Sequence, residues 1–138
     1  MARGFEHVDH TADLAIHAWG ATLGEAFEEA ARGLFAYMTE METARPVGAF
    51  RFVLAETTPE RLLHAWLETL LFHHQRDLLV FSRFRCDVAP DGLSLEGVAE
   101  GEAYAAERHG PIHEVKAVTY HDMRIVASPP RVEVVVDI

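Results

Sequence analysis

Apolar residues recur at intervals of three and four from Leu23 to Met38 and again from Leu62 to Leu71, while much of the remaining chain alternates. The first stretch opens with Thr22-Leu23-Gly24-Glu25, the form of a capping box, in which a threonine N-cap and the glutamate three residues on satisfy each other's amides. Leu23, Ala26, Phe27, Ala30, Leu34, Phe35 and Met38 then share one face of a predicted helix. Thr58-Pro59-Glu60 repeats the logic with a threonine N-cap, proline at the first helical position and acid in the first turn. Behind it Leu62, Leu63, Trp66, Leu67, Leu70 and Leu71 form the buried stripe of a second helix, predicted to about His74.

The alternating stretches predict strands. In 13–19, Leu14, Ile16 and Ala18 fall on one side and Asp13, Ala15, His17 and Trp19 on the other. Strands are also predicted at 47–54, 79–88 and 93–104, the last two joined through the turn residues Pro90-Asp91-Gly92. Residues 115–120 and 123–126 make another predicted pair around His121-Asp122, and 131–138 places Val132, Val134, Val136 and Ile138 on one face. Strands separated by two helices and followed by hairpins give an α+β expectation: a compact sandwich of mostly antiparallel strands packed with two main helices. No linker, internal repeat or low-complexity segment interrupts it, so residues 1–138 read as a single domain.

Composition adds three constraints. No apolar run is long enough to span a bilayer, and the first seven residues lack the apolar centre of a signal peptide. The single cysteine, Cys86, has no partner for an internal disulfide; it shares a predicted strand face with Val80, Phe84 and Val88 and reads as a small buried hydrophobe. A cytoplasmic protein is expected. The formal charge of −10 is the wrong sign for binding nucleic acid, which gains most of its affinity from cations displacing counterions, so a role near RNA would run through another protein. Of the 12 basic residues, only Lys116 is lysine, which is either chance or a sign that this ammonium has a purpose.

Three groups could carry chemistry. His7-Val8-Asp9-His10-Thr11-Ala12-Asp13 has the density of imidazole and carboxylate typical of metal sites. A metal-dependent phosphoester hydrolase using His7, Asp9, His10 and Asp13 is one reading, although residue 5 is Phe5 and the preceding half of the familiar dinuclear motif is missing. The plainer reading makes His10 and Thr11 a turn cap and Asp13 a solvated side chain. Asp137 shares the polar face of the last strand with Arg131 and Glu133 and adjoins Ile138. Such oxygens suit Ca²⁺, Mg²⁺ or Mn²⁺, but taken alone Asp137 reads as an exposed residue on a frayed end. In 113–121, alternation puts Glu114, Lys116, Val118 and Tyr120 together, so Lys116 either pairs with Glu114 on the surface or is presented to a phosphate or carboxylate elsewhere. His73-His74 closes the second helix as capping side chains. No glycine-rich phosphate loop and no nucleophile beside a base occurs, so catalysis by this chain alone has little support.

Several segments match a known pattern in order along essentially the whole chain. They are His10-Thr11-Ala12-Asp13, the helix from Thr22 to Phe35, Trp66-Leu67 with Leu70-Leu71, Leu79-Val80-Phe81, Lys116-Ala117-Val118-Thr119-Tyr120-His121, and the closing Val136-Asp137-Ile138. In these the sequence resembles the archease family, with the lysine-containing hexapeptide the most specific element and 106–111 the stretch without a counterpart. The resemblance implies a non-catalytic activator of the RtcB-type tRNA-splicing RNA ligase, one that promotes its guanylylation, speeds its turnover and widens its nucleotide use beyond GTP in tRNA splicing and RNA repair. It also implies a divalent-metal site, often calcium with magnesium or manganese as alternatives, formed by Asp13, Asp137 and an oxygen of Ile138, with His10 a secondary candidate. The family's functional lysine falls on Lys116, directed at the partner. This reverses the reading of the isolated acids, because a strand start and a strand end far apart in sequence can lie side by side. The ligase is the expected partner, with no strong direct RNA binding and no membrane.

Overall fold

The computed structural model describes residues 2–10 and 12–138, with every side chain among them except that of His10. Two strands, β1 (Gly4–His10) and β2 (Asp13–Trp19), precede the helix α1 (Leu23–Met38). A short 3-10 turn, Met41–Thr43, leads to β3 (Gly48–Ala55) and the second helix, α2 (Pro59–Asp77). Then come β4 (Leu79–Val88), β5 (Ser94–Ala103), the single turn α3 (Ala106–His109), β6 (Ala117–Val118), β7 (Arg124–Ala127) and β8 (Pro130–Asp137). Both helix starts use the expected caps: Thr22 Oγ1 accepts the Glu25 amide at 3.1 Å and Thr58 Oγ1 accepts the Arg61 amide at 3.1 Å. Glu25 reaches back to the amide of Ala21, one residue beyond the motif's usual donor. α2 passes His74 and stops only at Leu78, whose left-handed φ of 51° ends the helix.

The strands form two antiparallel sheets. In the larger, β1, β2 and β8 run side by side, and β6 and β7 both pair with the far edge of β8; the smaller has the order β3-β5-β4. α1 touches both sheets, and its two glycines explain how. Gly24 and Gly33 are nine residues apart, which at about 100° per residue places them on opposite sides of the helix. Gly24 lies under the Cys86 carbonyl of β4, while a Cβ on Gly33 would come within 2.7 Å of Ile16 in β2. α2 inserts Trp66 against Gly97 of β5, and the indole N–H donates to the Phe27 carbonyl of α1 at 3.0 Å. Phe27, Phe35, Trp66, Phe81 and Ile16 are fully buried in one continuous core drawn from both helices and both sheets. Among the described residues no helix is long and apolar enough to cross a membrane.

The structure departs from the sequence expectations in three places. First, Gly4–His10 is a full strand, paired residue for residue with β2, where no strand was expected; the turn cap expected of His10 and Thr11 lies outside the described residues. Second, 115–120 and 123–126 do not pair with each other. β6 and β7 are two pieces of one interrupted strand, each hydrogen-bonded to β8, with the Tyr120–Met123 turn looped out between them and Asp122 at φ 52°. Third, a bulge between Phe81 and Arg83 shifts the parity of β4, so Phe81 joins Phe84 and Cys86 on the core face while Val80 pairs with Glu102. Cys86 is buried as expected, and desolvation pushes its thiol pKa well up.

The packing of α1 makes a prediction. In an exposed helix, glycine to alanine stabilises by about 1 kcal/mol. For Gly24→Ala the backbone carbonyl of Cys86 stands where the methyl would go, so we expect destabilisation by about 1–3 kcal/mol. Urea unfolding midpoints of the two proteins measure it, and a more stable variant would contradict this placement of α1.

Candidate functional site

β2 and β8 pair in a register that sets Asp13 directly opposite Asp137. Directly opposed residues project from the same face about 5 Å apart, and two like charges so placed repel. Beyond Asp137 the row continues to Ala117 of β6, and on the other side Asp13 is matched in backbone register to His10 of β1. The next row on this face, Ala15 and Val135, is buried, and the following one pairs His17 with Glu133. The looped-out Asp122 and Met123 line, with the Ala15–Val135 and His17–Glu133 rows, an open concavity of about 480 Å³ that Asp13 and Asp137 do not line. Ala12, in the two-residue connection before Asp13, holds φ 60°, a left-handed conformation that an L-residue adopts at a cost and that tightens the β1–β2 turn.

The same register divides the N-terminal cluster. His7 and Asp9 pair with Ile16 and Leu14, whose side chains are in the core, so they belong to the helix-facing side of the sheet; Asp13 belongs to the other side. His7 Nε2–H donates to the Gly33 carbonyl at 2.7 Å, which commits that nitrogen as a donor. His7, Asp9 and Asp13 therefore do not converge, and the hydrolase arrangement is not assembled. The side chain of His10 and all of Thr11 lie outside the described residues. Among the described residues no group of three or more His, Cys, Asp or Glu side chains is gathered for a metal. What the register supplies is a pair of carboxylates, with the main-chain oxygens of Asp137 and the partly exposed Ile138 following. The donors are all oxygen, so they fit a hard divalent cation and not a soft one.

Lys116 lies immediately beside this row. Its amide donates to the Asp137 carbonyl at 2.7 Å, and the segment on either side is gripped from α2 as well. Gln75 Nε2 donates to the Val115 carbonyl at 3.1 Å, and His64 Nε2–H donates to the Val118 carbonyl at 2.9 Å. Val115 and Val118 are both buried, three residues apart, so the simple alternation expected over 113–121 fails and only Ala117–Val118 is strand. The Lys116 side chain is exposed, and among the described residues it forms no ion pair with Glu114. Tyr120 stacks on His64 with ring centroids 4.2 Å apart and planes 13° from parallel. Nothing in the helix periodicity flagged His64, because its role depends on a strand 54 residues away.

The chain leading into this segment is anchored by a second group that carried no sequence signature. Glu102 accepts the Arg45 amide at 2.9 Å, the Arg45 and Arg108 guanidiniums at 3.1 and 3.0 Å, and His109 Nε2–H at 2.9 Å. His109 is fully buried, and its Nδ1 accepts the Ala105 amide at 2.9 Å, which leaves the ring proton on Nε2. The Arg45 amide first, then His109 and the two guanidiniums, hold the Glu102 carboxyl down at about 2.

An α+β domain with a paired-carboxylate row beside a clamped, lysine-bearing edge segment is the class of protein these features define. The chain belongs to the archease family: the model of the Archease protein family (MTH1598/TM1083) matches residues 5–138. It is 42% identical over 129 residues to the protein archease of Thermococcus gammatolerans, covering 92% of this chain and 91% of that one. The Danio rerio protein archease is 34% identical over 141 residues, covering all of this chain and 87% of the relative. The solution structure of Methanobacterium thermoautotrophicum protein 1598 superimposes with a TM-score of 0.79 at 34% identity, covering 98% of this chain and 99% of that one.

The Glu102 cluster predicts a pH dependence. Its folded pKa of about 2 lies below the unfolded carboxylate value, so its contribution is complete above about pH 4.5 and is lost as pH falls towards 2. Denaturant midpoints of the protein and of Glu102→Gln should therefore differ at pH 6 and converge by about pH 2. A constant difference across that range would contradict the cluster.

Proposed function

We propose that this chain is a non-catalytic activator of an RtcB-type RNA ligase, promoting its guanylylation and turnover and widening its nucleotide use in tRNA splicing and RNA repair. The observation that carries the reading is the whole-chain archease membership together with the convergence of its two distant acids, Asp13 and Asp137, beside Lys116. The roles we propose are those the family resemblance implies, and the register is compatible with them. Asp13 and Asp137 offer oxygens to one divalent cation, with calcium the first candidate and magnesium or manganese the alternatives; Ile138 adds a main-chain oxygen and His10 is a secondary ligand. That cation would offset the paired negative charges and supply a positive centre for phosphate oxygens. Lys116 is held by its backbone on two sides, so its ammonium can be offered to an anion on the partner without ordering the segment first. An acidic activator leaves RNA binding to the ligase, whose cationic surface a chain of net charge −10 would attract.

The test uses the cognate ligase with GTP and Mn²⁺ and follows covalent guanylate on the ligase. Substoichiometric protein should accelerate repeated joining, and the protein alone should join nothing. Lys116→Ala should change stability by less than about 1 kcal/mol, since no ion pair among the described residues is lost, yet remove most of the activation. Lys116→Arg should rescue poorly, because a wide planar fork does not replace a compact ammonium. Full activation by Lys116→Ala would sink the role of this lysine, and a ligase indifferent to the wild-type protein would sink the activator reading.

A further inference from the structure

Along the seam between α2 and the segment that follows α3, four exposed features lie in sequence. Leu78 and Ile112, 52% and 37% exposed, line an open concavity of about 420 Å³ together with Gln75, Glu114 and Val115. Next is Lys116, exposed and without an ion pair among the described residues. Beyond it is Tyr120, 51% exposed, its ring backed by His64, which is itself fixed to the Val118 carbonyl.

Leu78 is the least expected of these. It sits at the left-handed C-cap of α2, with φ 51°, where glycine is the residue that avoids strain. Its carbonyl accepts the Tyr104 amide at 2.7 Å, so the strained backbone is held in place. A leucine here is unfavourable for the isolated chain twice over, through its conformation and through its exposure. Strained residues cluster at binding surfaces, and what a half-exposed leucine beside an open apolar concavity can offer there is contact with another molecule. Tyr120 has the matching character: a rigid, amphipathic ring already ordered by stacking, which gives contact area at low entropic cost.

We propose that this seam is the docking face for a protein partner that inserts an apolar side chain between Leu78 and Ile112, sets a basic group against Glu114 and brings an anionic group to Lys116. The proposal rests on the activator reading, and under it the occupant is the ligase. Charge selects that occupant. A protein that holds RNA has a basic surface to meet Glu114 and the acidic chain, and the anion at its nucleotide site answers Lys116.

The test separates binding from folding. Leu78→Gly removes the side chain and relaxes the left-handed backbone, so its melting temperature should hold or rise. Its Kd for the ligase, and that of Ile112→Ser, should each rise by about tenfold or more in calorimetric titration. Arg51→Ala, on the outer face of the smaller sheet, should bind as wild type. Wild-type affinity in the Leu78→Gly/Ile112→Ser double variant would overturn the docking face while leaving activation standing. A wild-type chain that neither binds nor stimulates the ligase would remove both proposals.

Discussion

The antiparallel register of β2 on β8 is the constraint from which the rest of the molecule follows. Leu14, Ile16 and Ala18 meet Val136, Val134 and Val132 on the core face, and all six are buried. A slip of one residue would turn that apolar face to solvent, so hydrophobic burial alone fixes the pairing. Once it is fixed, Asp13 and Asp137 must stand opposite each other on the far face, although 124 positions separate them in the chain. The repulsion between them is set against the burial of six apolar side chains, and burial is the larger quantity. A pair of like charges can therefore be held face to face by the burial of a core on the other side of the sheet.

The edge of β8 also fixes the backbone of Lys116, whose amide donates to the Asp137 carbonyl. β6 is only two residues long and would not stay on the sheet by its own ladder. It is held by Thr119, whose amide and hydroxyl both donate to Val135, and by His64 and Gln75 reaching across from α2. Upstream, the Glu102 cluster ties down the approach to this segment. The lysine is thus presented by three separate anchorages, on the larger sheet, on α2 and on β5, and moving any of them would move its ammonium relative to the carboxylate row.

Much of this was legible in the sequence, for identifiable reasons. The helix caps at Thr22 and Thr58, the strand at 13–19 and the hairpin through Pro90-Asp91-Gly92 are local patterns, and each appears where local chemistry put it. Asp13 and Asp137 could be named from the family resemblance, but only the register gives the reason for their juxtaposition. What sequence reading missed was decided by partners remote in the chain. β1 lacks strong alternation because its Phe5, His7 and Asp9 face a helix surface opened by Gly33, with His7 fixed by a carbonyl there. The loop between β6 and β7 reads as a hairpin turn, yet β8 captures both arms because it offers a longer edge than either offers the other. Glu102 and His109 form no motif at all, and their pairing exists only through the fold.

The central claim is that a divalent cation proposed for this domain would be held by the Asp13–Asp137 register, and not by the density of His and Asp near the N-terminus. Calorimetric titration of Ca²⁺, Mg²⁺ and Mn²⁺ into four proteins tests it: wild type, Asp13→Asn, Asp137→Asn and Asp9→Asn. One divalent site is expected in wild type and in Asp9→Asn, whose carboxylate belongs to the helix-facing side, and its loss is expected in both of the other variants. Undiminished affinity in Asp13→Asn and Asp137→Asn, or loss in Asp9→Asn alone, would contradict it.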